Sequence, residues 1–319
     1  MANIVTATSM PPQVQQTFAL KLLSTPTPNY IYKYVADPEL LPRHGGDTLR
    51  FSRYNPLPAA LVPLGTSGAT PPPTDLDRVD IDMRVSWYGQ FIYLNEQVQL
   101  SNQDSVLNAA AKRLGSSLRL TEDNLMRNML LSSATRMWCT NGIDGDSPTE
   151  LTSNDINKAI RSLLSANAWM IQDIVGAEDL YGTSPIRSSY MALAHTDLQA
   201  DLEAVQGFKP TSEYPSPQSV LRTEWGAVRN LRFHLSTEGA IIKNSSSING
   251  ADVYAVTFAG LEAAACVKQD GASARFIYLP PEIVGGPLAQ NCSVAWKSAM
   301  AFGIKNESWI GNLMCTKNL

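Results

Sequence analysis

Residues 48–87 read TLRFSRYNPLPAALVPLGTSGATPPPTDLDRVDIDMRVSW, and the reading of this stretch decides the fold. Both ends are strand-like. TLRFSRY covers 48–54, and in VDIDMRVSW (79–87) Val79, Ile81, Met83 and Val85 alternate with Asp80, Asp82, Arg84 and Ser86. A period of two with one apolar and one charged face predicts strands covered on one side only. The 24 residues between them hold six prolines, Pro56, Pro58, Pro63 and Pro71 to Pro73. Proline brings no N–H to a ladder, so no regular central strand runs here. The expectation is a long β-hairpin with an extended tip. A lone hairpin is marginal in water, and so long a tip is uncommon inside a compact domain. Such a finger should lean on another surface.

On the N-terminal side, Val14, Phe18 and Leu22 recur every four residues and predict a short amphipathic helix over 12–24, followed by the breaker-rich STPTPNYIYKY. On the C-terminal side a helical stretch is expected over 104–138, interrupted near Gly115 and restarted at Thr121. Met126, Met129, Leu130, Ser133 and Met137 would share one face. The turn-rich NGIDGDSP (141–148) reads as a domain crossing. A helix from Ser153 carries Ile156, Ala159, Ile160, Leu163 and Leu164. A third, over 188–205, would carry Met191, Ala194, Leu198, Leu202 and Val205 on one face. The period then changes: Leu231, Phe233 and Leu235 alternate with polar neighbours, 253–258 is a compact β-prone run, and VAWKSAMAFGI (294–304) alternates again. The fold class is α+β.

The chain has 319 residues, 44% of them hydrophobic, enough for a sizeable core. Its charged fraction of 17% lies below the roughly 25% usual for soluble domains, as expected where partner subunits cover the surface. A net charge of −4 argues against a surface built to neutralise nucleic-acid phosphates. Cys139, Cys266, Cys292 and Cys315 are too widely spaced for a short-range metal-ligand pair and read as reduced, mostly buried thiols. The first residues, MANIVTATSMPPQ, lack a basic region followed by an apolar one, and no stretch approaches the roughly 18 apolar residues of a membrane span. The expectation is a cytoplasmic protein, in which the sequons at Asn244, Asn291 and Asn306 carry no meaning.

Phosphate-binding glycine loops, a G-x-S-x-G elbow, H-E-x-x-H and C-x-x-C are all absent. Among His44, His195 and His234, the constellation to weigh is His195 with Asp197 and Asp201 on the expected helix. On a helix, positions two apart point in different directions, so His195 and Asp197 would not share a proton or a metal. A border histidine beside solvated or capping carboxylates is the plain reading; a metal site on His195 and Asp201 is the alternative. Asp144, Asp146 and Glu150 approach a calcium loop only loosely, because the alternating spacing that ends in a bidentate glutamate is missing. Arg229 and Arg232 flank Leu231 and can pair with Glu224 or with a neighbour's carboxylate.

Several ordered segments resemble the major capsid proteins of tailed phages in the N-four group, which adopt the Hong Kong 97 capsid fold. HGGDTLRFSRYNPLPAALVPLGTSG (44–68) is similar to the start of that family's extended loop. SSYMALAHTDLQADLEAV (188–205) is similar to its Tyr-x-x-x-x-His-x-Asp segment, and TEWGAVRNLRF (223–233) to its Glu-x-Gly-x-x-x-x-x-Arg-Phe segment. ADVYAVTFAGLEAAA and LAQNCSVAWKSAMAFGI, with Trp296 and Lys297, resemble its closing region. The resemblance implies an N-terminal arm (1–46), an extended loop lying across an adjacent subunit (47–87), a peripheral domain with a long spine helix (88–150), an axial domain (151–263) and the closing strands of the peripheral domain (264–319).

It further implies a non-enzymatic shell subunit without cofactor. The subunit would be made in the bacterial cytoplasm, assemble with itself into hexamers and pentamers of the virion capsid, and enclose double-stranded DNA without sequence-specific or membrane contacts. Scaffolding, portal and decoration proteins are its further expected partners. Arg50, Phe51, Arg53, Asp80, Asp82, Arg84, Glu224, Arg229 and Arg232 are the expected subunit-interface residues, the charged ones selecting register and partner. Two other classes stay open: another self-assembling phage protein such as a portal or tail ring, and a small metal-dependent hydrolase using His195 and Asp201.

Overall fold

The computed structural model describes residues 27–61, 73–95, 106–140, 148–171, 188–214, 223–243, 252–280, 283 and 290–317. The predicted helix at 12–24, Asp144 and Asp146 lie outside them. Two sheets and a separate hairpin share these residues.

The five-stranded sheet is organised by β14 (Asn291–Ile304), an alternating strand long enough to serve three partners. Along one edge it pairs with β4 (Ser86–Asn95). Along the other it pairs first with β13 (Arg275–Leu279) and then with β12 (Ala264–Gln269), outside which β1 (Ala36–Leu41) runs parallel. One face of this sheet, through Leu94, Val294 and Trp296, packs on Ala110 and Leu114 of helix α1 (Val106–Ser133).

The eight-stranded sheet comprises β5 (Thr135–Trp138), β6 (Tyr190–His195), β7 (Phe208–Pro210), β8 (Glu224–Val228), β9 (Leu231–Ser236), β10 (Ala240–Ile242), β11 (Val253–Ala259) and β15 (Ile310–Cys315). Helix α2 (Ser153–Ser165) buries Ile156, Ala159, Ile160 and Leu163 against Tyr190, Phe233, Val256 and Phe258, as its spacing predicts; Leu164 is half exposed. All four cysteines are free thiols, and Cys266 alone among them is not buried.

Three expectations need correction. The segment 188–205 is not one helix: β6 is followed by a 3-10 turn and the six-residue helix α3 (Gln199–Ala204). Every residue of β6 is buried, and a strand covered on both faces reads as a continuous apolar run that periodicity cannot separate from a helix. The long helix is unbroken through Gly115 and Thr121, whose hydroxyl donates to Ser117 O one turn back instead of capping a new start. It ends at Ser133, and Met137 belongs to β5. The strand expected over 79–87 divides at Val85, with β3 (Arg78–Arg84) going to the hairpin and β4 to the sheet.

Sheet membership also crosses the expected segments. β1, expected in the arm, joins the five-stranded sheet. β5 and β15, expected with the peripheral part, join the eight-stranded one.

A strap formed by residues 29–41 ties these parts together. The carboxylate of Asp123 on α1 accepts from Tyr32 N at 2.9 Å and Ile31 N at 3.4 Å. Tyr32 Oη accepts from Ala240 N at 2.8 Å, and Ser236 Oγ donates to Asn29 O at 2.5 Å. Burial pushes the Asp123 carboxyl up to about 6 despite these donors.

Candidate subunit-association surface

The hairpin pairs β2 (Thr48–Tyr54) with β3 in the register the alternation demands: Leu49 faces Met83, Arg50 faces Asp82, and Phe51 faces Ile81. On the charged side, Arg50 Nε donates to Asp82 Oδ1 at 2.6 Å and Nη2 donates to Oδ2 at 2.8 Å. Arg84 Nε donates to Asp47 Oδ2 at 2.7 Å, and Arg78 bonds both Asp80 and Ser52. Hydrogen bonding from Arg50 holds the Asp82 carboxyl below the usual carboxylate range; the Ser52 hydroxyl, with Arg78, does the same for Asp80. These charges are thus paired within the hairpin itself. Individually, exposed pairs of this kind are weak.

The apolar side is only partly supported by its own protomer. Near the base, Met83 is buried against Val267, Ala299 and Ala301, and its side chain lies where a Cβ on Gly303 would sit. Further out, Phe51 and Ile81 are half covered, with Lys305 Nζ 5.2 Å from the Phe51 ring centroid. Lys305 also reaches Asp37 Oδ2 at 3.1 Å, which couples hairpin, β14 and β1. Farther out, Leu57 and Leu76 are exposed and Leu61 is 87% exposed, while Tyr54, exposed as well, falls on the charged side opposite Arg78. The flanks of the tip are clamped where Asn55 Nδ2 donates to Asp77 Oδ2 at 2.6 Å.

The other expected interface residues divide. Arg53 and Arg229 are exposed, and Arg229 adopts a left-handed φ of 55° in the turn from β8 to β9. Glu224 and Arg232 instead lie inside the protomer, 3.8 Å apart and both buried, because β8 and β9 pair antiparallel in a covered sheet. Tyr214 Oη donates to Glu224 Oε1 at 2.8 Å, and burial followed by the Glu224 charge pushes the tyrosine pKa up. In the same layer, burial and then Arg232 lower His234 to about 4.

The correction to 188–205 changes the histidine site. His195 ends β6 and caps the following turn. Its Nδ1 accepts from Asp197 N at 3.0 Å, and its Nε2 stands 2.9 Å from Thr237 O. Asp197 Oδ1 lies 3.3 Å from His195 Nδ1, a contact that helical geometry would forbid and a strand-to-turn corner allows. Asp201 sits in the first turn of α3, and among the described residues no three His, Cys, Asp or Glu side chains converge as a metal site. Glu150 is exposed, its backbone bridging to Thr316. No helix among the described residues is long and apolar enough to cross a membrane.

Sequence reasoning missed the exposed aromatics Trp87, Phe91 and Tyr93 on β4. The signal was present in WYGQFIYL: large apolar residues fall on both faces of this strand, yet α1 covers only one of them.

No family model matches the chain, and no curated protein matches it. Solved structures do. A chain from the capsid of Helicobacter pylori bacteriophage KHP30 is 10% identical with a TM-score of 0.68, covering 99% of both chains. One from the capsid of Ralstonia phage GP4 is 9% identical with a TM-score of 0.67, covering 100% of this chain and 99% of that one. The cyanophage Pam1 capsid asymmetric unit matches at 14% identity with a TM-score of 0.65, again over 99% of both. Over nearly its whole length, the chain has the fold of these phage capsid chains.

Proposed function

We propose that the chain is the major capsid protein of a tailed phage, a non-catalytic subunit of the Hong Kong 97 type that assembles into an icosahedral shell around double-stranded DNA. The observation that carries this reading is the hairpin: its polar side is paired within the protomer, while its outer apolar residues are left uncovered by the described residues. Burial of those residues on a neighbour drives assembly. Arg53 on the hairpin and Arg229 on the β8–β9 turn are the exposed charges that select partners. Repetition around rings builds pentamers and hexamers, and many weak contacts add through multivalency. The net charge of −4 suits a container that does not adhere to its contents. Scaffolding, portal and decoration proteins are the natural further partners.

Replacing residues 56–77 by a two-residue turn tests this directly. The shortened chain should remain folded by circular dichroism and soluble, yet form no shells by negative-stain microscopy under conditions where the full chain does. Normal particles from the shortened chain would overturn the role given to the hairpin, and a full chain that stays monomeric when concentrated would overturn the capsid reading.

A further inference from the structure

Two of the four free thiols meet inside the eight-stranded sheet. Cys139 directly follows β5, and Cys315 ends β15. The parallel register of these strands sets Leu313 beside Met137 and Met314 beside Trp138. Cys139 N donates to Met314 O at 2.9 Å, which carries the ladder one residue further and brings Cys139 across from Cys315. Both side chains are fully buried in the core that α2 covers, so they point to the same face. The Cys139 thiol is hydrogen-bonded with that of Cys315, whose own S–H donates to Tyr254 O at 3.7 Å. A thiol has a single hydrogen to give, so Cys139 is the donor and the Cys315 sulfur the acceptor in the contact between them. Cys266 and Cys292 belong to the other sheet, on β12 and β14.

We propose that Cys139 and Cys315 are an oxidation site, a dithiol that closes to a disulfide within one protomer when the chain meets a low-molecular-weight disulfide such as oxidised glutathione. Neighbouring strands run roughly 4.8 Å apart, inside the Cα separation of about 4.4–6.8 Å that a disulfide spans. The bond joins β5, a four-residue strand at the edge of the sheet, to β15 next to it. It also closes a covalent ring that holds α2 and the rest of that sheet, which restricts the unfolded chain more than the folded one. The site lies inside a single protomer and stands apart from the self-assembly reading.

The exchange runs in two steps. One protein thiol gives up its proton and attacks a sulfur of the oxidant, which forms a mixed disulfide and expels one small thiolate. The second protein thiol, deprotonated in turn, attacks the protein-side sulfur of that mixed disulfide and expels the other. Two protein thiols are thereby oxidised, and the oxidant is reduced to two small thiols that take up the two protons. Both steps need a thiolate, and the hydrogen bond with Cys315, together with burial, holds the Cys139 thiol far above the usual thiol range. A packed core also has no room for a mixed disulfide. Reaction therefore passes through local opening of the short β5 edge, slow in the packed chain and faster when that edge frays. The pair stays reduced in a reducing compartment and closes in an oxidising one.

Oxidation of the full chain tests this. Incubated with excess oxidised glutathione just below its melting temperature, the unaltered chain should lose the mass of two hydrogens and still run as a monomer on a non-reducing gel. Digestion without reductant should yield two peptides joined through Cys139 and Cys315, and dithiothreitol should separate them. The oxidised chain should melt roughly 3–6 °C above the reduced one. Cys139→Ala should abolish both the link and that rise, whereas Cys266→Ala should keep both. Four thiols still free after the incubation, glutathione adducts in place of the link, a link through Cys266 or Cys292, or a joined chain that melts no higher than the reduced one would each overturn the proposal. The joined peptides are read from the unaltered chain, so a variant that fails to fold leaves the test intact.

Discussion

The β2–β3 and β6–β9 ladders are made of similar material and held by different things. In β6 and β9 every residue is buried, and the ionic neighbours Glu224 and Arg232 are enclosed as well. In the hairpin the charges face water and pair across the strands, and apolar cover fades from Met83 outward to Leu61. The first ladder draws its stability from its own protomer. The second leaves part of its apolar surface exposed among the described residues. Exposure of the same residue types thus separates the part of the chain that folds from the part proposed to associate.

The sharpest break between the two comes from truncating one aromatic and one aliphatic side chain. Phe233→Ala in the buried ladder should cost about 3–5 kcal/mol, a fall of roughly 4–7 °C in Tm. Leu61→Ala should leave the melting curve unchanged while impairing shell formation. A comparable thermal loss from Leu61→Ala would mean the tip is covered in its own protomer, and the contrast would vanish.

Acidity probes the buried side alone, through two opposed groups. His234, lowered to about 4 from an ordinary 6.5, contributes stability that is present above pH 6.5 and lost as pH falls toward 4, about 3 kcal/mol in all. Asp123, raised to about 6, behaves oppositely: its contribution is present below its ordinary range near 4 and lost as pH rises through 6, again about 3 kcal/mol. Between pH 6 and 4 the two nearly cancel, so urea midpoints of the unaltered chain should change little from these groups. Asp123→Asn should expose a loss of stability on acidification, and His234→Asn a gain. Parallel profiles for all three proteins would contradict the assignment.

The smallest effect belongs to the hairpin's ion pairs. Arg50→Ala should leave Tm within experimental error, as exposed pairs generally do. Its signature is faster amide hydrogen exchange in β2 and β3, where the pair with Asp82 holds register. Unchanged exchange would show that the apolar side alone sets the pairing.

What could be read from residues alone follows the same division. The hairpin, β9 and β14 were legible because one face of each differs in polarity from the other, so alternation survives in the sequence. β6 was not, since YMALAH is covered on both sides and carries no alternation. That error concealed the His195–Asp197 contact, which exists only where strand turns into helix. Gly115 misled for another reason: a glycine costs a helix about 1 kcal/mol, and the burial of Leu114, Met126 and Leu130 outweighs it.

The position of β15 has a consequence in time. It lies between β5 and β11, so the interior of the eight-stranded sheet is finished by Ile310–Cys315, long after its flanking strands have been synthesised. A nascent chain on the ribosome can form its hairpin early, but it lacks a finished body until that late insertion occurs. Pairing so remote in sequence is slow, so closing this sheet is a late step in folding.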